Sequence, residues 1–125
     1  DHPAIVSHYD DSTKIDYRIF QTNGIGAARH APAVTWGQTG TTPINPNQWY
    51  NAVLVYSGTT LSFYLDGVFR SSVTINTPGA GSYPTETRIG RGTATATPFF
   101  NGAIDEVMIW NRALSAAEVA AIASQ

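Results

Sequence analysis

Residues 99–118 read Phe99-Phe100-Asn101-Gly102-Ala103-Ile104-Asp105-Glu106-Val107-Met108-Ile109-Trp110-Asn111-Arg112-Ala113-Leu114-Ser115-Ala116-Ala117-Glu118. From Ala103 to Trp110 both parity sets are largely apolar: Ala103, Asp105, Val107 and Ile109, against Ile104, Glu106, Met108 and Trp110. A strand apolar on both faces is one that packed layers cover on both sides, so Ala103–Trp110 is expected as an interior strand of a layered β structure. Ser115 then opens a helix. Glu118 stands three residues on, completing a capping box in which hydroxyl and carboxylate satisfy first-turn amides. The Ala-rich stretch Ala116–Ala123, with Val119 and Ile122 on one side, is expected as a short closing helix.

Working back, Trp49–Tyr56 and Leu61–Leu65 read as strands joined by the hairpin Ser57-Gly58-Thr59-Thr60. Asp66-Gly67 is a two-residue hairpin signal that leads into a third strand, Val68–Val73. Three strands on tight turns make an antiparallel meander. Earlier, Ala4–Ser7 is a short strand, and Ile15–Thr22 places Ile15, Tyr17 and Ile19 opposite Asp16 and Arg18. Asn23-Gly24 is a turn, and Ala31–Trp36 a further strand, with Pro32 marking an edge or a start. Residues 37–48 and 76–86 are Gly/Thr/Pro/Asn-rich loops, and Thr87–Gly90 is a last short strand. The pattern predicts an all-β antiparallel sandwich with one short C-terminal helix.

These segments carry a family resemblance. The run Phe-x-Gly-x-Ile-Asp-Glu-Val followed by Asn-Arg-Ala-Leu-Ser and Glu118 resembles the closing segment of laminin-G-like, concanavalin A-like jelly-roll domains. Gln48–Val53, Leu61–Val68 and Arg88–Arg91 are similar to three more of the family's segments, in the family's order. The resemblance implies one domain over residues 1–125, lacking the opening strands that such domains place before the stretch matching Ala4–Ser7. It also implies a non-catalytic recognition module of a secreted or cell-surface protein, with carbohydrate as its ligand. A structural or adhesive domain without a sugar site is the alternative, and a small glycan hydrolase a third. Family motifs of this kind are mostly architecture, so they fix the fold far better than the function.

Composition narrows the classes. At 125 residues with 42% hydrophobic content the chain can bury a core. A net charge of −2 gives no electrostatic case for nucleic acid or an anionic membrane. No apolar run has the length needed to span a bilayer. Cysteine is absent, which removes disulfides, thiol catalysis and thiolate metal sites. Low charge with abundant Thr, Ser, Asn and Gly fits an extracellular or cell-surface setting.

No nucleophile elbow, phosphate-binding loop or zinc-protease motif occurs, and His2, His8 and His30 lack metal-ligand spacing. Sandwich glycosidases need two carboxylates pointing the same way along a strand, whereas the adjacent Asp105 and Glu106 alternate. No catalytic residue is assigned and the chain is read as not an enzyme. Asp105 shares a parity set with Val107 and Ile109, so it is expected to point inward, where a carboxylate needs a partner. Either neighbouring backbone or Arg112 supplies that partner, or a cation does. The resemblance implies a structural Ca²⁺ there, held with backbone carbonyls. Sugar sites use aromatic rings as stacking platforms beside polar groups, which makes Trp36, Tyr83 and Tyr9 the candidate rings and Arg91 the candidate polar contact. Trp49, Tyr50 and Trp110 are expected in the core, and Phe99-Phe100 as a packing pair.

A sandwich without its opening strands would leave an unpaired edge and an apolar trough beside Ala103–Trp110. Lys14 is the only lysine, so little blocks edge pairing, and a homodimer covering the trough is expected.

Overall fold

Asp66-Gly67 turns the chain as its sequence dictates. Asp66 has φ 52° and Gly67 φ 76°, the pair of left-handed residues that matches the twist of a two-residue hairpin. Asp66 Oδ1 also accepts the Asn51 amide at 2.8 Å, tying the hairpin to the start of the preceding strand. The hairpin joins β6 (Thr60–Leu65) to β7 (Val68–Thr74), and β6 pairs on its other side with β5 (Ala52–Ser57). The computed structural model describes residues 2–9, 15–30, 36–75, 86–92 and 99–125.

The remaining strands are β1 (Ala4–Tyr9), β2 (Ile15–Gln21), β3 (Ile25–His30), β4 (Trp36–Gln38) and β8 (Glu86–Ile89). They form a five-stranded sheet in the order β4-β3-β2-β1-β8, which faces the three-stranded sheet β5-β6-β7. Every strand pair is antiparallel. The chain therefore runs a four-strand meander, crosses to a three-strand meander, and returns to lie beside β1. This is the antiparallel sandwich the sequence predicts.

The core follows the two-residue period. Leu61, Phe63 and Leu65 point inward from β6 and meet Ile25 and Ala27 of β3, with Ile75 closing one side. The opposite parity of β5 faces outward, where Val55 packs on Leu114 and Val119 and Val53 adds to the same cluster. Helix α1 (Ala116–Ala123) covers that outer face. The expected capping box is present: Ser115 Oγ accepts the Glu118 amide at 3.3 Å, and Glu118 Oε2 accepts the Ser115 amide at 2.8 Å. Arg112 grips the same carboxylate at 2.7 and 3.0 Å, and its bonds are the largest cause holding Glu118 down at about 2. A depressed carboxylate stabilises the fold above its unfolded value of 4.5, and that contribution disappears as pH falls through about 2. Replacing Ser115 by alanine is expected to cost about 1 kcal/mol at pH 7 and less near pH 2, read by urea titration at both pH values. An equal loss at both would break the link between hydroxyl and carboxylate.

Three expectations need correction. The sequence pattern predicts no strand where β3 lies, because Gly24, Gly26, Ala27 and Ala28 look like loop in one dimension. Their smallness is a packing requirement: a Cβ on Gly26 would lie 3.1 Å from the Phe20 ring, and one on Gly24 would press on the Thr42 carbonyl. Residues 31–35 of the strand expected at Ala31–Trp36 lie outside the described residues, and Trp36 opens β4.

The second correction is larger. Ala103–Trp110 is not a strand. Glu106 sits at φ 49°, breaking the extended run, and Asp105 is exposed instead of inward-facing. Among the described residues no backbone-to-backbone hydrogen bond involves residues 101–111. Alternation supplies a face, but a strand also needs a neighbouring backbone to bond. Third, Trp49 is 67% exposed, Trp110 40% and Phe99 70%, so none of them joins the core. Tyr50 does pack against the core, and its hydroxyl accepts the Asn45 amide at 2.9 Å.

Candidate functional site

Because β-strand neighbours stand directly opposite one another, register alone lines up a row of side chains on the five-stranded sheet. Arg88 of β8 faces Ser7 of β1, Ser7 faces Arg18 of β2, Arg18 faces Ala28 of β3, and Ala28 faces Gln38 of β4. One residue set further along lies Phe20, paired with Ala4 and Gly26. Apolar residues of the other parity, among them Ile19, Ile25 and Ala27, serve the core. The row thus occupies the sheet face turned away from the second sheet.

The row is polar and ordered. Ser7 is fully buried and donates its hydroxyl to the Arg91 carbonyl at 3.1 Å. Arg18 is 4% exposed, and burial pushes its guanidinium below its ordinary value. Its Cζ lies 5.2 Å from the centre of the Phe20 ring, a cation–π distance, while His2 stacks on the same ring at 5.7 Å. Burial, followed by the amino terminus and Arg18, lowers the His2 value, so this imidazole favours its neutral form. Arg88 is held by Glu86 through bonds of 2.6 and 3.0 Å. Gln38 is exposed at the β4 end. With Ser7, Arg18 and Phe20 buried, the guanidinium of Arg88 and the amide of Gln38 are the groups of the row that can hydrogen-bond a polyhydroxylated or anionic ligand.

The residues singled out from the sequence distribute unevenly. Tyr9 ends β1 opposite Ile15 and is also paired with Glu86, and Trp36 opens β4 opposite His30. Both backbones stand at the same end of the sheet, with three strand spacings, about 14 Å, between them. Their side chains, like all of Tyr83, lie outside the described residues. Arg91 belongs to the opposite end of β8, five positions beyond Glu86 and so about 16 Å from Tyr9 along the strand direction. It bridges to Phe99, and its guanidinium stands 5.7 Å from that exposed ring. Arg91 and Tyr9 therefore do not converge.

The polar row was missed. Its signal was in the alternation of β2, which sets Arg18 on the face opposite Tyr17 and Ile19. What the alternation could not supply was the cross-strand partner of Arg18.

Asp105 is exposed and bonds locally. Its Oδ1 accepts the Glu106 amide at 2.8 Å, Arg112 is engaged by Glu118, and the described residues contain no group of three or more His, Asp or Glu that could hold an ion.

Among solved structures, an S-layer domain-containing protein from Clostridium thermocellum (residues 221–444) is similar to this chain, with 21% identity and a TM-score of 0.52. The alignment covers 97% of this chain and 62% of that one, so the chain spans less than two thirds of that structure's length. At this identity the likeness speaks for the fold alone. No curated protein matches. A laminin-G model described as the concanavalin A-like lectin/glucanases superfamily matches residues 1–120. With that match over nearly its whole length, and with its two antiparallel sheets and closing helix, the chain belongs to the concanavalin A-like lectin/glucanases superfamily, within its laminin-G-like branch.

Proposed function

We propose that this domain is a non-catalytic recognition module of a secreted or cell-surface protein, and that it binds carbohydrate on the outward face of the five-stranded sheet. The observation that carries the reading is the row Arg88–Ser7–Arg18–Ala28–Gln38: Ser7 and Arg18 are buried in it, while its two ends, half-buried Arg88 and exposed Gln38, present donors in fixed register at the surface. The superfamily holds both lectins and glucanases, and among the described residues the carboxylates of Asp66, Glu86, Asp105 and Glu118 support the former reading. Asp66 is bonded to the Asn51 amide, Glu86 to Arg88, Asp105 to the Glu106 amide and Glu118 to Arg112. Glu118, at about 2, is unsuited to act as a general acid. The S-layer domain-containing neighbour is in keeping with a surface setting. No described helix is long and apolar enough to cross a membrane.

The test is a glycan panel with the protein immobilised. Arg88→Ala and Gln38→Ala are expected to weaken binding roughly tenfold each, as buried polar contacts to a ligand do, with the melting temperature unchanged. Trp36→Ala and Tyr83→Ala are expected to weaken binding in the same panel, with the melting temperature little changed. A folded protein that ignores the whole panel would assign the domain to the structural or adhesive class instead. EDTA is expected to leave the melting transition in place, as the surroundings of Asp105 imply.

A further inference from the structure

Away from the polar row, a cavity of about 1040 Å³ opens between two stretches of the same chain. One wall is the unbroken run 48–58, which contains β5, and the other is the unbroken run 103–114. Strands that present a face to a cavity contribute every second residue. Strands that present an edge contribute consecutive residues, as both walls do here. Each edge also lacks a backbone partner. Among the described residues β5 pairs with β6 alone, and residues 101–111 make no backbone-to-backbone hydrogen bond. The floor is apolar, built from Ile5, Ile19, Ile25 and Ile44. Val107, Met108, Ile109 and Trp110 remain exposed beside it, although their alternation suits a strand between two others.

We infer that this slot receives one extended polypeptide strand, which bonds β5 along one edge and residues 103–111 along the other. Its dimensions agree. A strand residue in a packed sheet occupies about 3.3 by 4.8 by 10 Å, so the cavity holds roughly six or seven residues. The occupant has apolar side chains at alternate positions, to meet the isoleucine floor. It also carries a basic residue at one end, because Asp105 and Glu106 stand at one end of the wall with no cation beside them among the described residues. Every strand pair in both sheets is antiparallel, so the basic residue lies toward the C-terminal end of the occupant.

The occupant is a free arm of polypeptide and not an element of a second folded copy. It must offer bonding groups on both of its edges. The sheet-edge strands β4, β7 and β8 each have one edge already taken. Residues 101–111 of a second copy have both edges open, but they are anchored by the Phe100 amide on the Gly90 carbonyl and by buried Leu114. This mode is strand addition, in which main-chain bonds give affinity and alternate side-chain pockets give selectivity.

The probe is a capped eight-residue peptide alternating valine with threonine, with one lysine near its C-terminus, titrated into the full chain. It is expected to bind and to quench or shift Trp110 fluorescence. Moving the lysine to the N-terminus should weaken binding roughly twofold to fivefold, the range of an exposed ion pair. The double variant Asp105→Asn, Glu106→Gln should erase that difference. Two further peptides carry N-methyl groups on the odd or on the even amides. Successive amides of a strand point to opposite edges, so both methylated peptides should lose roughly tenfold or more. If either one binds like its parent, only one edge is used and the slot proposal is wrong. Absence of binding of any peptide up to about 1 mM would overturn it as well. So would a dimer in sedimentation velocity that the peptide does not dissociate, since a second copy then fills the slot. None of these outcomes depends on sugar binding.

Discussion

Phe63→Ala is expected to lower stability by about 3–5 kcal/mol, the cost of truncating a fully buried aromatic ring. Phe63 is fully buried at the centre of β6, the middle strand of its sheet, and belongs to the cluster of Leu61, Leu65, Ile25, Ala27 and Ile75. Removing the ring forfeits its transfer from water and leaves a hole that both sheets would have to close together. Paired on both sides, β6 has little freedom to move into it. A domain of this size holds about 5–15 kcal/mol in total, so the variant would lose from roughly a fifth of its stability to all of it. The melting temperature should fall by roughly 10–20 °C. Phe69, on edge strand β7 and 52% exposed, is the internal control, and Phe69→Ala is expected to cost under about 1 kcal/mol. Urea titrations of the two variants decide the matter. Equal losses would mean that the sandwich core is not centred on β6.

Gly24→Ala is the second large effect, about 2–4 kcal/mol from the addition of one methyl group. The added Cβ would press on the carbonyl oxygen of Thr42, a backbone atom that no rotamer change can move aside. That carbonyl accepts the Ile25 amide at 2.9 Å, and the Thr42 amide donates back to Ile25 at 2.9 Å. This bridge ties the loop after β4 to the start of β3, where Ile25 enters the core. Forcing the loop away breaks both bonds and uncovers Ile25. Gly58 provides the contrast. At φ 63° with open space around it, its replacement by alanine costs only the left-handed backbone penalty, about 1 kcal/mol. Thermal melts that rank Gly58→Ala above Gly24→Ala in cost would contradict the close approach at Thr42.

The candidate site was legible only in part, for a reason visible in β2. Reading Ile15–Thr22 by parity sets Arg18 apart from Tyr17 and Ile19, and the structure keeps that division. Parity could not say that Arg18 lies between Ser7 and Ala28, since those neighbours come from strands ten or so positions away. Side-chain chemistry alone does not bring residues together. Tyr9 and Trp36 stand at one end of the sheet and Arg91 at the other, because strand direction, not side-chain type, decides which end a residue reaches.

By itself the sequence determined the elements whose bonds are local. The Asp66-Gly67 hairpin, the Ser115–Glu118 capping box, helix α1 and the meander β5-β6-β7 all close within a few residues, so their signals are complete in one dimension. It also determined the superfamily, which is carried by those same local patterns. Tertiary structure alone decided the rest. Strand β3 exists because Phe20 and Thr42 require glycines against them, a need that appears only when three segments meet. The stretch Ala103–Trp110 has the alternation of an interior strand yet makes no backbone-to-backbone bond among the described residues. Side-chain patterning specifies which face a segment would bury, whereas a strand is completed by the backbone beside it, and that neighbour is never written in the segment's own residues.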